Sequence, residues 1–146
     1  MLLKKFKTFY SLSHSVKWLF FKAMAMSLVV KSTFLFRPFK RILSWLGKAN
    51  VECANVPNPE SEVIRANLKT AMFLCTKYAL WKTECYSQAV TCKLLLNQYR
   101  IPSTIYIGFY KDIKGKYKGH AWLRSYDKFM TGGTESERFT VQSYFS

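Results

Sequence analysis

Two short stretches hold the residue types of nucleophilic catalysis: KTECYSQAV, residues 82–90, and GHAW, residues 119–122. Cys85 stands where polar residues give way to an apolar helical pattern, which places it in the first turn of a helix. There, unclaimed backbone N–H groups and the helix dipole favour a thiolate over a thiol. Cys92 is seven residues further along the same stripe, gains little from the dipole, and reads as a core residue. Cys75 falls on another core-facing stripe and Cys53 in a linker without an identifiable partner, so neither is a strong candidate. Of the two histidines, His14 belongs to an N-terminal helix, whereas His120 opens a strand. A cysteine paired with His120 would form a nucleophile and its general base. From residue types alone, either could equally be structural.

The elements that must position this pair follow from periodicity. Apolar residues recur at helical spacing from about Leu12 to Trp45, with a break at Arg37-Pro38 and a stop at Gly47, which predicts two helices. Residues 48–59 read as a linker. Asn58-Pro59 is a cap and first-turn pair for a helix to about Tyr78, facing its core with Ile64, Leu68, Ala71 and Cys75. A third helix starts near Thr83 or Glu84 and ends before Arg100-Ile101-Pro102, with Cys85, Ala89, Cys92 and Leu96 as its stripe. After Pro102 the period becomes two. Residues 104–110, 119–126, 129–131 and 139–145 read as strands, joined by turns at 114–116 and 126–128 and a loop opening at Gly132-Gly133-Thr134. Helices followed by strands on short turns predict an α+β domain, with helices packed on one face of a small antiparallel sheet.

Composition bounds the function. An apolar share of 49% and an aromatic share of 17% exclude a disordered chain, and 146 residues suit one compact domain. The net charge of +15 calls for a polyanionic partner or an anionic surface. Residues 1–51 hold ten Lys or Arg and no carboxylate, so the excess lies mainly in a basic N-terminal helical segment, residues 1–48. That segment could cap the core of the following domain, lie on a membrane, or bind nucleic acid, in descending order of expectation. Its most apolar run, Trp18 to Val30, contains Lys22 and stops at Lys31, short of the roughly 20 residues of a spanning helix. Four cysteines without a CxxC pair or a secretory cleavage pattern point to reduced thiols in a cytoplasmic setting.

Several ordered motifs resemble a known family. Trp81, Cys85 with Gln88-Ala89, a Leu-rich helix, YRIPSTIYIGF and GHAW are similar to the protease domain of lasso-peptide B proteins. Those belong to the transglutaminase-like, papain-related superfamily. The likeness runs from about Glu62 to the C-terminus, includes TGG and RFTV, and extends more loosely to RPFKRILSWLG in the helical prefix. It implies a transglutaminase-like (papain-like) core over residues 58–146 with an N-terminal helical extension. The implied activity is that of a cysteine peptidase, without metal or cofactor, that removes the leader from a ribosomally made precursor before a separate cyclase closes the ring. On this resemblance Cys85 attacks the scissile carbonyl and His120 handles the proton. Backbone N–H groups at the helix start, that of Cys85 included, would hold the oxyanion. Gln88 lies one turn inside, where a structural role suffices.

The family's third catalytic member is an acid that orients the histidine, and here its position falls on Gly132 or Gly133. If Tyr126 and Asp127 form a two-residue turn, Ser125 faces Lys128 and Asp127 is about 23 Å from His120 along the strand. Thr131 shares the face of His120 and Glu135 could fold back, so both rank above Asp127. A backbone carbonyl or hydroxyl, an irregular turn, or weakened activity are the other outcomes. Trp122 beside the histidine and Trp81 before the helix could either pack or wall the substrate cleft.

The resemblance implies the precursor leader, a separate leader-binding (recognition element) protein and the lasso cyclase as partners. The basic helices add peripheral contact with a membrane. Nucleic acid is the less favoured partner. Two rival functions are a non-catalytic basic module for nucleic acid or anionic membrane, and a transglutaminase-like acyl transferase.

Overall fold

The computed structural model describes residues 10–146; residues 1–9 of the expected basic segment lie outside them. Helix α1, His14–Phe36, starts where Ser13 Oγ accepts the Val16 N–H at 3.3 Å. It ends at Arg37, which Pro38 holds extended, and the short α2, Phe39–Leu43, follows. Beyond the linker, Asn58 accepts the Glu60 N–H at 3.0 Å, and a single 3₁₀ turn, Pro59–Ser61, runs into α3, Glu62–Tyr78. Helix α4, Cys85–Gln98, ends as Arg100 turns left-handed (φ 56°) and the Ile101 N–H returns to Leu96 O at 3.0 Å.

Strands β1 (Thr104–Lys111), β2 (Tyr117–Ser125), β3 (Lys128–Thr131) and β4 (Thr140–Phe145) form one antiparallel sheet in the order β3-β2-β1-β4. Alternation along β1 and β2 puts Ile105, Ala121 and Leu123 into a core with Leu68, Ala71, Ala89, Cys92 and Leu96 of α3 and α4. The expected α+β architecture, helices against a small antiparallel sheet, is what the chain adopts.

Leu19, Ala23 and Val30 of α1, with Ile42 and Leu46 after it, belong to the same buried cluster. The N-terminal helices thus cap the core of the domain. Lys31 ends the apolar run but not α1, which continues to the expected break at Arg37-Pro38, while the Lys31 ammonium reaches out to Lys82 O at 2.9 Å. At 23 residues α1 is long and apolar enough to cross a membrane, by length and composition only. A stripe of Val16, Leu19, Ala23, Ser27 and Val30 is nevertheless buried in the fold.

The β2–β3 turn forms as expected, with Tyr126 left-handed (φ 51°) and Ser125 opposite Lys128. One step further the register slips, so that Leu123 faces Thr131 instead of Met130. The segment after Gly132 is a 3₁₀ helix, Gly133–Arg138, rather than an open loop.

Candidate active site

Cys85 is the first residue of α4 and is half-buried. No side chain caps this helix end: Glu84 occupies the cap position without a hydrogen bond from its carboxylate. The first N–H groups of α4 are therefore not consumed by a cap. The turn is stiffened from outside instead. Ser87 Oγ donates to Glu84 O at 2.9 Å, and Gln88 Nε2 donates to Thr83 O at 2.9 Å. Gln88 thereby takes the structural role expected of it.

His120 lies on β2 between Gly119 and Ala121 and is buried, the residue being 9% exposed. Ala121 and Leu123 face the helices, so alternation sends the imidazole to the same side as Trp122. β3 pairs with β2 only between Leu123 and Ser125, and Gly132 approaches the stretch of β2 beyond that pairing. His120 Nε2 meets Gly132 O at 2.8 Å. A carbonyl can only accept, so Nε2 carries the proton, and in the neutral ring Nδ1 is left as the basic nitrogen.

Gly132 is required there on two counts. Its φ is +67°, and a Cβ would sit 2.8 Å from Ala121 O and 3.0 Å from His120 Nε2. The side-chain direction at this position thus points at the imidazole, where an acid would otherwise reach it. A correction follows for the three residues expected to orient the histidine. Asp127 is bound to Arg65 at 3.1 Å, which lowers its pKa. Glu135 sits exposed on the 3₁₀ helix. Thr131 Oγ1 is buried without a hydrogen bond among the described residues. The register slip after Arg124 and the turn at Gly132 bring in a main-chain oxygen instead.

Aromatic rings fix the imidazole plane. It stacks on Trp122 (5.7 Å between centroids, 23°) and leans on Phe139 at 4.8 Å. Trp122 stacks in turn on Tyr106 (5.6 Å, 10°), whose hydroxyl accepts from Arg124 Nε at 3.0 Å. Trp122 is buried, so its place is in packing beside the histidine. Trp81 donates its indole N–H to Ser27 Oγ at 3.1 Å and holds the residues before α4 against α1.

The first turn of α4 and the start of β2 adjoin. Tyr86 Oη lies 3.1 Å from the place of a Cβ on Gly119. Burial raises the Tyr86 phenol, and negative charge on neighbouring Cys85 adds to this. Among the described residues no hydrogen bond joins Cys85 Sγ to His120. Burial raises the thiols of Cys75 and, far more strongly, Cys92, which keeps both protonated and inert. Cys53 lies in the linker as expected and is also buried, with its N–H on Thr104 Oγ1 at 2.8 Å. All four cysteines are free, and Cys85 is the one that is not buried.

A cleft of about 600 Å³ opens at this helix start. Glu84, Tyr86 and Ser87 line it from α4, Phe109 from β1, and Lys31, Phe34 and Leu35 from α1. The α1 wall was not visible in the motifs, whereas a backbone carbonyl was among the outcomes expected for the orienter. TGG signalled the opening of a loop, but not which atom the turn there presents. Among the described residues no cluster of His, Cys, Asp and Glu could hold a metal ion.

A family model of the transglutaminase-like superfamily matches residues 28–143, from the middle of α1 to β4. No curated protein and no solved structure gives a significant match to the chain.

Proposed function

The chain belongs to the transglutaminase-like superfamily, and from that premise we propose that it is a cysteine peptidase that removes the leader from a lasso-peptide precursor. The observation that carries this reading is the hydrogen bond from His120 Nε2 to Gly132 O, 2.8 Å, on a strand whose start adjoins the uncapped helix start that holds the half-buried Cys85. It sets the tautomer a general base needs, with Nδ1 free to accept a proton.

In the proposed reaction Nδ1 of His120 takes the proton of Cys85, and Sγ attacks the scissile carbonyl carbon. The oxyanion accepts hydrogen bonds from the first N–H groups of α4. Collapse breaks the C–N bond, His120 returns the proton to the leaving amine, and the leader stays on Sγ as a thioester. Water, deprotonated by the same nitrogen, then hydrolyses it and regenerates the thiol. The proposal requires that the thiol–imidazole hydrogen bond, absent from the free chain among the described residues, forms when substrate binds. The amide oxygen of Gly132 stabilises the imidazolium less than a carboxylate would, so Cys85 depends more on the helix start. On the same resemblance the proposed partners are a leader-binding protein and a cyclase.

The test is to incubate the protein with a synthetic lasso precursor and a leader-binding protein and to weigh the products. Free leader and free core peptide are expected, and neither with Cys85→Ala or His120→Ala. Cleavage retained by either folded variant defeats the proposal. An amine-linked product would assign the same thiol to acyl transfer.

A further inference from the structure

Helix α1 carries two apolar stripes. One is buried against α3 and α4. The other, on the opposite side, consists of Trp18, Phe21, Ala25, Leu28, Val29, Ser32 and Phe36, linked by three- and four-residue steps, and it holds no charge. Trp18, Leu28, Val29 and Phe36 are between 50% and 84% exposed. Leu28, Val29, Ser32, Thr33 and Phe36 form a shallow groove of about 400 Å³ that ends on Arg37. A helix that is apolar all round is normally covered all round, and a continuous exposed stripe marks an interaction surface.

Charge decides what covers it. Residues 1–51 contain ten cations and no carboxylate. Lys17 and Lys22 flank the stripe on either side, Lys17 Nζ donating to Tyr10 O at 2.8 Å and Lys22 Nζ to Gln98 Oε1 at 3.3 Å with its ammonium 5.9 Å from the Trp18 ring centroid, and the exposed Arg37 and Arg41 follow the end of the stripe. A second copy would bring the same cations to the same face and be repelled. An anionic lipid surface is attracted by them and accepts the apolar side chains.

We infer that α1 lies in the headgroup region of an anionic membrane, its exposed stripe inserted and its flanking cations on lipid phosphates. The buried stripe stays on α3 and α4, so the helix lies in the plane of the membrane and does not span it. Lys31, Phe34 and Leu35 of the same helix wall the cleft beside Cys85. Docking would therefore hold that cleft at the membrane surface.

The experiment is sedimentation of the whole chain with vesicles of phosphatidylglycerol and phosphatidylcholine, or of phosphatidylcholine alone, at low and high salt. Binding to the anionic vesicles is expected to exceed that to neutral ones at least tenfold, and to fall with salt. The triple variant Trp18→Ser, Val29→Ser, Phe36→Ser should lose at least tenfold while keeping its helical circular dichroism. Brominated phosphatidylglycerol should quench the fluorescence, and Trp18→Phe, which keeps the fold, should remove most of that quenching. Absent or neutral-lipid binding, quenching unchanged in Trp18→Phe, or a stripe-dependent dimer or protein complex without vesicle binding would each overturn the inference.

Discussion

The two ends of the four-residue strand β3 solve opposite problems. At its start, Asp127 joins Glu62, Lys128 and the buried Arg65, whose Nη1 also donates to Ser125 O at 2.9 Å. Formal charges there pin a turn to α3. At its end, Gly132 offers only a main-chain carbonyl to His120 Nε2. The carboxylate nearest in sequence is thus spent on architecture, and the imidazole is oriented by a neutral dipole. Residue type alone does not show which polar atom serves chemistry; the register of β3 against β2 decides it.

The largest expected effect breaks the neutral end. Gly132→Ala must place a Cβ at φ +67° against Ala121 O and His120 Nε2. Precursor cleavage should fall at least 100-fold, with a stability loss of about 1–2 kcal/mol from the strained backbone. Measured kcat/KM and urea titrations check this; near-wild-type cleavage would mean that the carbonyl does not position His120.

Lys93 sharpens the comparison, because here a cation meets only a carbonyl. It is 2% exposed, its ammonium donates to Ser103 O at 2.7 Å, and burial lowers its pKa to about 8. In the unfolded chain it titrates near 10.4. The unfolded state therefore binds more protons between these values, and wild-type stability gains there as pH rises. Urea titrations of wild type and Lys93→Met should show the advantage of the variant shrinking by about 3 kcal/mol from pH 7 to 10.5. A pH-independent difference would show that burial does not perturb this amine.

The charged end should break more gently. Arg65→Met strands Ser125 O and Asp127, but the carboxylates are half exposed, so a loss of about 2 kcal/mol is expected in urea unfolding. Cleavage per folded molecule should persist. If activity falls as far as in Gly132→Ala, the two ends are not separable.

The smallest effect is that of Cys92→Ala. Its thiol is fully buried and pushed up in pKa, so the substitution should cost about 1 kcal/mol and leave cleavage unchanged.

Much of this design was legible in the sequence. The period change after Pro102, the Asn58-Pro59 cap and the helix start before Cys85 are local signals, and local backbone physics obeyed them. The orienter was legible only in part: its position at Gly132 or Gly133 and a backbone carbonyl were among the expected outcomes, but Thr131 and Glu135 ranked as the side-chain candidates because the one-residue slip between Leu123 and Arg124 is not visible in sequence. The α1 wall of the cleft was missed for a related reason. Lys31 ends the apolar run in sequence, whereas in space its long stem carries the charge out of a helix that continues to Phe36 and supplies Phe34 and Leu35 to the wall.

The central claim is that Cys85 reacts as a nucleophile assisted by His120. Its most direct test is the rate at which iodoacetamide alkylates Cys85 at pH 7, followed by peptide mapping in wild type and His120→Ala. The account predicts that Cys85 is modified well before Cys53, Cys75 and Cys92, and that losing the imidazole slows it at least tenfold. An unchanged rate in His120→Ala, or faster modification of another cysteine in the folded protein, would contradict it.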